Sequence, residues 1–104
     1  MNSARICGLA DIPDGTARQV EVGGVPVALV RIGDRVLAVG DICSHAEVSL
    51  SDGEVDVDEC TIECWKHGSL FSLETGKPLT LPATKPVEVL AVRIEGDDIV
   101  VAKR

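Results

Sequence analysis

The chain reads as an all-β protein of antiparallel sheets, and three observations carry that expectation. Apolar residues make up 45 % of the sequence but aromatic residues only 2 %, so a core must come from Val, Ile, Leu and Ala, and fifteen valines favour strands over helices. The apolar residues recur at alternate positions or in short continuous runs, and no segment of ordinary helix length carries a helical period. Gly, Pro and Asp punctuate these runs at close intervals. With 104 residues and no break in composition, residues 1–104 are expected to form a single domain whose modest burial a bound group would reinforce.

Arg5 to Leu9 is the first expected strand, followed by turn chemistry at Pro13-Asp14-Gly15. Arg18 to Val22, Val25 to Ile32 and Arg35 to Val39 come next, joined by Gly23-Gly24 and Gly33-Asp34, which suit two-residue hairpins. The four segments are therefore expected as one antiparallel meander. The pattern breaks at Gly40-Asp41 and a loop containing Cys43 and His45 begins. Beyond an acidic connection, alternation resumes at Thr61 to Cys64 and places Cys60, Ile62 and Cys64 on one strand face. Gly68 permits a tight loop after His67, and Ser69 to Leu73 leads away as a further strand. Thr75-Gly76-Lys77-Pro78 is a turn and Leu81 to Pro86 a restrained loop. Val87 to Ile94 and Ile99 to Ala102 close the chain, linked by Glu95-Gly96-Asp97-Asp98.

The formal net charge is −7, and its distribution is uneven. Asp41, Glu47, Asp52, Glu54, Asp56, Asp58, Glu59 and Glu63 lie between Asp41 and Cys64, a stretch without Lys or Arg. Such a run disfavours nucleic acid or an anionic membrane as partner and favours a basic protein surface. The first residues lack the apolar run of a signal peptide, and no stretch approaches a membrane span, so a cytoplasmic location is expected. In a reducing compartment four cysteines point to metal binding before disulfides.

Both histidines are spent in two short motifs, Cys43-Ser44-His45 and Cys64-Trp65-Lys66-His67, with eighteen residues between His45 and Cys64. Each motif can form the tip of its own loop, and the two can close on one centre. Two thiolates and two imidazoles could hold zinc tetrahedrally, as a structural module does. The order of the ligands speaks against it, because zinc fingers pair like ligands close together whereas here each loop supplies one Cys and one His.

These motifs, with the Cys7-to-Gly15 run, the Gly68-Ser69-Leu70-Phe71 that follows His67 and the later Thr75-Gly76, resemble the Rieske family, in particular its small soluble ferredoxins of bacterial oxygenase systems. The resemblance implies an antiparallel β-sheet sandwich with a cluster-binding loop subdomain, about residues 41–86, at one tip. It implies one [2Fe-2S] cluster per chain, with Cys43 and Cys64 on one iron and His45 and His67 on the other. Ser69 corresponds to a serine that donates a hydrogen bond toward cluster sulfide, and Pro82-Ala83 to a third loop that covers the cluster. Where high-potential relatives carry a tyrosine donating to a cysteine sulfur, this chain has Phe71. Members of respiratory and photosynthetic complexes also join their cluster loops by a disulfide, and Val48 and Lys66 stand at the corresponding positions.

The implied function is one-electron transfer from a ferredoxin reductase to a terminal non-haem iron oxygenase, by a protein that is not itself the catalyst and is monomeric when free. Other roles within the resemblance are a redox component of iron–sulfur cluster assembly and the small subunit of nitrite reductase. Trp65, the sole Trp, lies between two ligands, where it could anchor a partner or simply pack within its loop. Cys7 and Cys60 read as small apolar strand residues, since four ligands already complete the cluster.

Overall fold

The computed structural model describes residues 3–44, 47–66, 68–81 and 83–102. Among these residues nine strands follow in order: β1 (Ser3–Gly8), β2 (Ala17–Val22), β3 (Val25–Ile32), β4 (Arg35–Gly40), β5 (Val55–Asp56), β6 (Thr61–Glu63), β7 (Leu70–Ser72), β8 (Val89–Glu95) and β9 (Asp98–Ala102). They form a six-stranded antiparallel sheet ordered β1-β9-β8-β4-β3-β2 and a small three-stranded sheet ordered β5-β6-β7. Two single 3-10 turns, Leu9–Asp11 and Leu50–Asp52, complete the regular structure among the described residues. No helix there is long and apolar enough to cross a membrane.

The hairpins stand where their turn residues place them: Val22 faces Val25 across Gly23-Gly24, and Ile32 faces Arg35 across Gly33-Asp34. Only β2, β3 and β4 form the expected meander. β1 leaves it and pairs with β9 at the far side of the sheet, from Ser3 opposite Ala102 to Gly8 opposite Asp98. The crossing is held by the Arg31 guanidinium on β3, which donates to the carbonyls of Leu9 at 3.3 Å and Ile12 at 3.0 Å. Alternation marks a segment as a strand but does not name its neighbour, so the meander is one strand shorter than the sequence pattern predicts.

A second correction concerns Cys60, Ile62 and Cys64, which do not share a strand. The strand β6 is only three residues long, and Cys60 precedes it at φ 56°, in the left-handed region. The Asp56 carboxylate accepts hydrogen bonds from the N–H groups of Asp58 and Glu59, so the acidic connection closes as a turn in which Cys60 makes the final reversal. β5, inside that acidic run, is too short to show a period.

β3 and β4 are buried on both faces, which accounts for their near-continuous apolar runs. Val27, Leu29 and Ala38 pack on one side with Ile12, Leu90 and Val101. Ala28, Val30, Leu37 and Val39 pack on the other with Leu50, Ile62, Phe71 and Leu73 of the loop subdomain. These two strands therefore form the wall on which the loops are mounted.

Candidate metal centre

Each Cys/His motif lies in a hairpin loop of six residues. The first, residues 43–48, is bounded by the isolated bridge between Ile42 and Ser49 and closed by a hydrogen bond from Cys43 N–H to the Val48 carbonyl at 3.0 Å. The second, residues 64–69, is bounded by the Glu63–Leu70 pair of β6 and β7 and closed by Cys64 N–H to the Ser69 carbonyl at 2.8 Å. The cysteine occupies the first position of both loops and uses its own N–H for the closure. The two loops thus close in the same way, although the sequence spaces their histidines differently.

Cys43 and Cys64 are 4 % and 1 % exposed and belong to the same apolar cluster, with Leu50, Ile62, Phe71 and Ala83. None of the four cysteines is in a disulfide. His45 and His67 lie outside the described residues, as does Pro82. By sequence the histidines occupy the third and fourth positions of loops whose first positions face the core.

Ser69 is buried, and its Oγ accepts a hydrogen bond from Ala83 N–H at 3.1 Å, which leaves its own proton available to a further acceptor. The same third segment meets the first loop, because Ser44 Oγ donates to the Lys85 carbonyl. Residues 83–85 therefore tie both loops together. Phe71 is fully buried and stands opposite Ile62 on β6, at the base of the second loop. Trp65 is 54 % exposed, so a large apolar side chain stands in water between two expected ligands.

The acidic run does not lie wholly on the surface. Asp41 is completely buried, whereas Glu47, Asp52, Glu54, Asp56, Asp58 and Glu59 are exposed and Glu63 is half-buried. Asp41 Oδ1 accepts from Ser51 N–H at 2.9 Å, Oδ2 accepts from Gln19 Nε2 at 2.6 Å, and its carbonyl accepts from Leu50 N–H at 2.6 Å. Sequence reasoning missed this role, and also the Ser44–Lys85 contact. The only signal was an acid placed directly after an apolar strand and two residues before a ligand motif.

Cys7 lies against the other core, whereas Cys60 is half-buried against the cluster that holds Cys43 and Cys64. Burial pushes both thiols up from 9.0; at Cys7 Arg18 opposes the rise and Asp11 adds to it, and at Cys60 Glu74 adds and Arg35 opposes. Cys7 packs on the core of the large sheet and Cys60 on that of the loop subdomain, as small apolar side chains do.

The donor set fits an iron–sulfur centre. Two sheltered thiols, each followed in the sequence by a histidine two or three residues on, offer the soft sulfur and borderline nitrogen donors that such a centre uses. No rival group of three or more metal-binding side chains occurs among the described residues. Fold and loops together define a small antiparallel-β iron–sulfur protein.

The family is the Rieske [2Fe-2S] domain, to which this chain belongs: the family model matches residues 2–93. Its cofactor is accordingly a Rieske-type cluster. The chain is 41 % identical over 99 residues to the 3-phenylpropionate/cinnamic acid dioxygenase ferredoxin subunit of Escherichia coli (strain K12), covering 95 % of this chain and 92 % of that one. Among solved structures it is similar to the ferredoxin of carbazole 1,9a-dioxygenase from Nocardioides aromaticivorans IC177, with a TM-score of 0.96, 35 % identity and full coverage of both chains. It is also similar to a chain in the complex of reduced oxygenase and oxidized ferredoxin in carbazole 1,9a-dioxygenase, with a TM-score of 0.89, 38 % identity and coverage of 99 % and 94 %.

Proposed function

We propose that this chain is a cytoplasmic one-electron carrier that takes electrons from a ferredoxin reductase and delivers them to the terminal non-haem iron oxygenase of an aromatic-ring dioxygenase system. The observation that carries the reading is the pair of six-residue loops closed by the same backbone bond, each opening on a buried cysteine. The names of the similar proteins support the partner class, since they are ferredoxin subunits of dioxygenases and one is held in a complex with its oxygenase.

In this reading Cys43 and Cys64 would hold one iron and His45 and His67 the other, within one domain that is monomeric when free. When bound, the cluster supplies reversible one-electron chemistry. The chain's own residues shelter and tune it. Phe71, Leu50 and Ile62 pack with Cys43 and Cys64 and exclude water there, and Ser69, which holds Ala83, would offer its proton to cluster sulfide. Pro82 belongs to the covering loop, and Trp65 anchors the partner at the tip.

The test is compositional and then functional. Purified protein is expected to contain iron and acid-labile sulfide in near-equal amounts, lost together in Cys43→Ser or Cys64→Ser. With a cognate reductase and oxygenase, only the loaded protein is expected to support product formation. Zinc without sulfide from iron-replete cells would overturn the cluster assignment, and a loaded protein unable to reduce any cognate oxygenase would overturn the role.

A further inference from the structure

The buried carboxylate of Asp41 joins three parts of the molecule at one point. Its N–H donates to the Pro26 carbonyl at 3.1 Å, which fixes the outgoing limb of the first loop to β3. Its carbonyl and Oδ1 receive the N–H groups of Leu50 and Ser51, so the same residue grips the returning limb twice. Its Oδ2 receives the Gln19 amide, which also donates to Ser49 Oγ at 3.2 Å. Gln19 lies on β2, an edge strand of the large sheet that contributes no expected ligand.

A completely buried carboxylate loses its hydration, and that loss is tolerated only where hydrogen bonds replace it. Here the replacements all hold the two limbs of one loop at a fixed separation. Cys43 is two residues beyond Asp41, and Leu50, whose N–H the Asp41 carbonyl receives, packs in the same apolar cluster as Cys43 and Cys64. We propose, on the basis of the reading above, that Asp41 is a positioning residue for the first ligand loop and Gln19 its support: together they set where Cys43 stands relative to Cys64, and so how firmly the cluster is retained.

The requirement is for hydrogen-bond geometry, not for charge. Asparagine at this position keeps an oxygen for Ser51 N–H, and its amide can donate to a rotated Gln19 side chain whose oxygen then accepts. Alanine abandons Ser51 N–H and Gln19 together.

The experiment compares holoprotein of wild type, Asp41→Ala, Asp41→Asn and Gln19→Ala, with far-UV circular dichroism to establish that each is folded. Cluster release to a chelator is followed by visible absorption. Asp41→Ala is expected to release it roughly ten- to a hundredfold faster, the range usual for residues that orient metal ligands. Asp41→Asn is expected within about threefold of wild type and Gln19→Ala between the two, because water can replace part of what an exposed amide supplied.

After the cluster is stripped, maleimide labelling is expected to accelerate at Cys43 in Asp41→Ala but not at Cys64. Equal acceleration at both would mean general loosening and would overturn the positioning role, as would wild-type retention in Asp41→Ala or an Asn variant as labile as the Ala one. Should Asp41→Ala fail to fold, wild-type release from Gln19→Ala would overturn it instead. Wild-type protein without iron and sulfide would defeat the functional reading, a result distinct from all of these.

Discussion

Three glycine-to-alanine substitutions separate backbone strain from steric conflict in the frame that carries the loops. Gly96 has φ +64° and open space where a Cβ would stand, so Gly96→Ala carries only the left-handed penalty, about 1–2 kcal/mol. Gly53 has φ −90°, which any residue adopts, but its Cβ would overlap the Glu63 carbonyl oxygen at the base of the second loop. Gly76 combines both conditions, with φ +75°, overlap with the Val87 carbonyl oxygen and Val89 Cγ2 at 2.9 Å. Relief at Gly76 must also disturb the 2.8 Å bond from Val87 N–H to the Gly76 carbonyl, where the third segment returns to the sheet. Overpacking of about 1–3 kcal/mol and one lost hydrogen bond of about 1 kcal/mol then add to the strain, giving about 4 kcal/mol for Gly76→Ala. For a chain of this size that corresponds to a fall in melting temperature of about 16–32 °C, against about 4–16 °C for Gly96→Ala. Urea unfolding of the holoproteins at one temperature, followed by far-UV circular dichroism, is expected to rank Gly76→Ala as most destabilised and Gly96→Ala as least. If Gly76→Ala and Gly96→Ala unfold at the same midpoint, the close approach of Val87 to this turn is not a constraint and the reasoning fails.

Electron delivery to the oxygenase is expected to slow as salt rises, because six exposed acids between Glu47 and Glu59 face solvent and exposed charges are screened within about 10 Å at 0.1 M salt; a rate independent of ionic strength under association-limited conditions would refute acidic docking. Burial raises the Cys7 and Cys60 thiols above 9.0, so their neutral forms belong to the native state and their contribution is complete below that pH and lost as pH climbs through the raised values. Between about pH 8 and pH 10 the urea midpoint of wild type is therefore expected to fall more than that of a Cys7→Ala/Cys60→Ala double variant, and equal declines would contradict the assignment. The midpoint potential is expected near the roughly −150 mV end of the Rieske span, and Phe71→Tyr is expected to raise it through a hydroxyl donating to the Cys43 sulfur. Protein-film voltammetry placing wild type well above zero at neutral pH would refute the low-potential assignment.

What could be read from the sequence was what neighbouring residues decide. The strands from β2 to β4 follow from two-residue turns and local alternation, and their register is the one those turns impose. The pairing of β1 with β9 is not local, since Ser3 meets Ala102 only after the whole chain has wrapped, with Arg31 holding the crossing. The ligand motifs were legible because their residue types are chemically unusual and closely spaced. The frame around them was not. Asp41 looked like one more surface acid, and its burial follows from three donors that come from Gln19, Leu50 and Ser51. Cys60 looked like a strand residue because Thr61 to Glu63 continues the alternation, but the turn built on Asp56 needs a left-handed residue there.

The absent interloop disulfide shows how much this frame must do. Val48 is half-buried and Lys66 exposed at the two positions where a disulfide joins the loops in membrane-complex relatives. Here the connection runs through a third party, from Ser69 Oγ to Ala83 N–H and from Ser44 Oγ to the Lys85 carbonyl. Two such bonds contribute about 1 kcal/mol each, less than the roughly 2–4 kcal/mol of a typical disulfide, and only the Ser69 bond is buried. The loops therefore depend more on what holds each of them separately: Asp41 for the first, and the short β6–β7 hairpin, with Gly53 packed against its base, for the second. A carrier that must keep its ligands still while the electron count changes needs that separation fixed before the electron arrives, and in this chain hydrogen bonds and packing, not a covalent link, are what fix it.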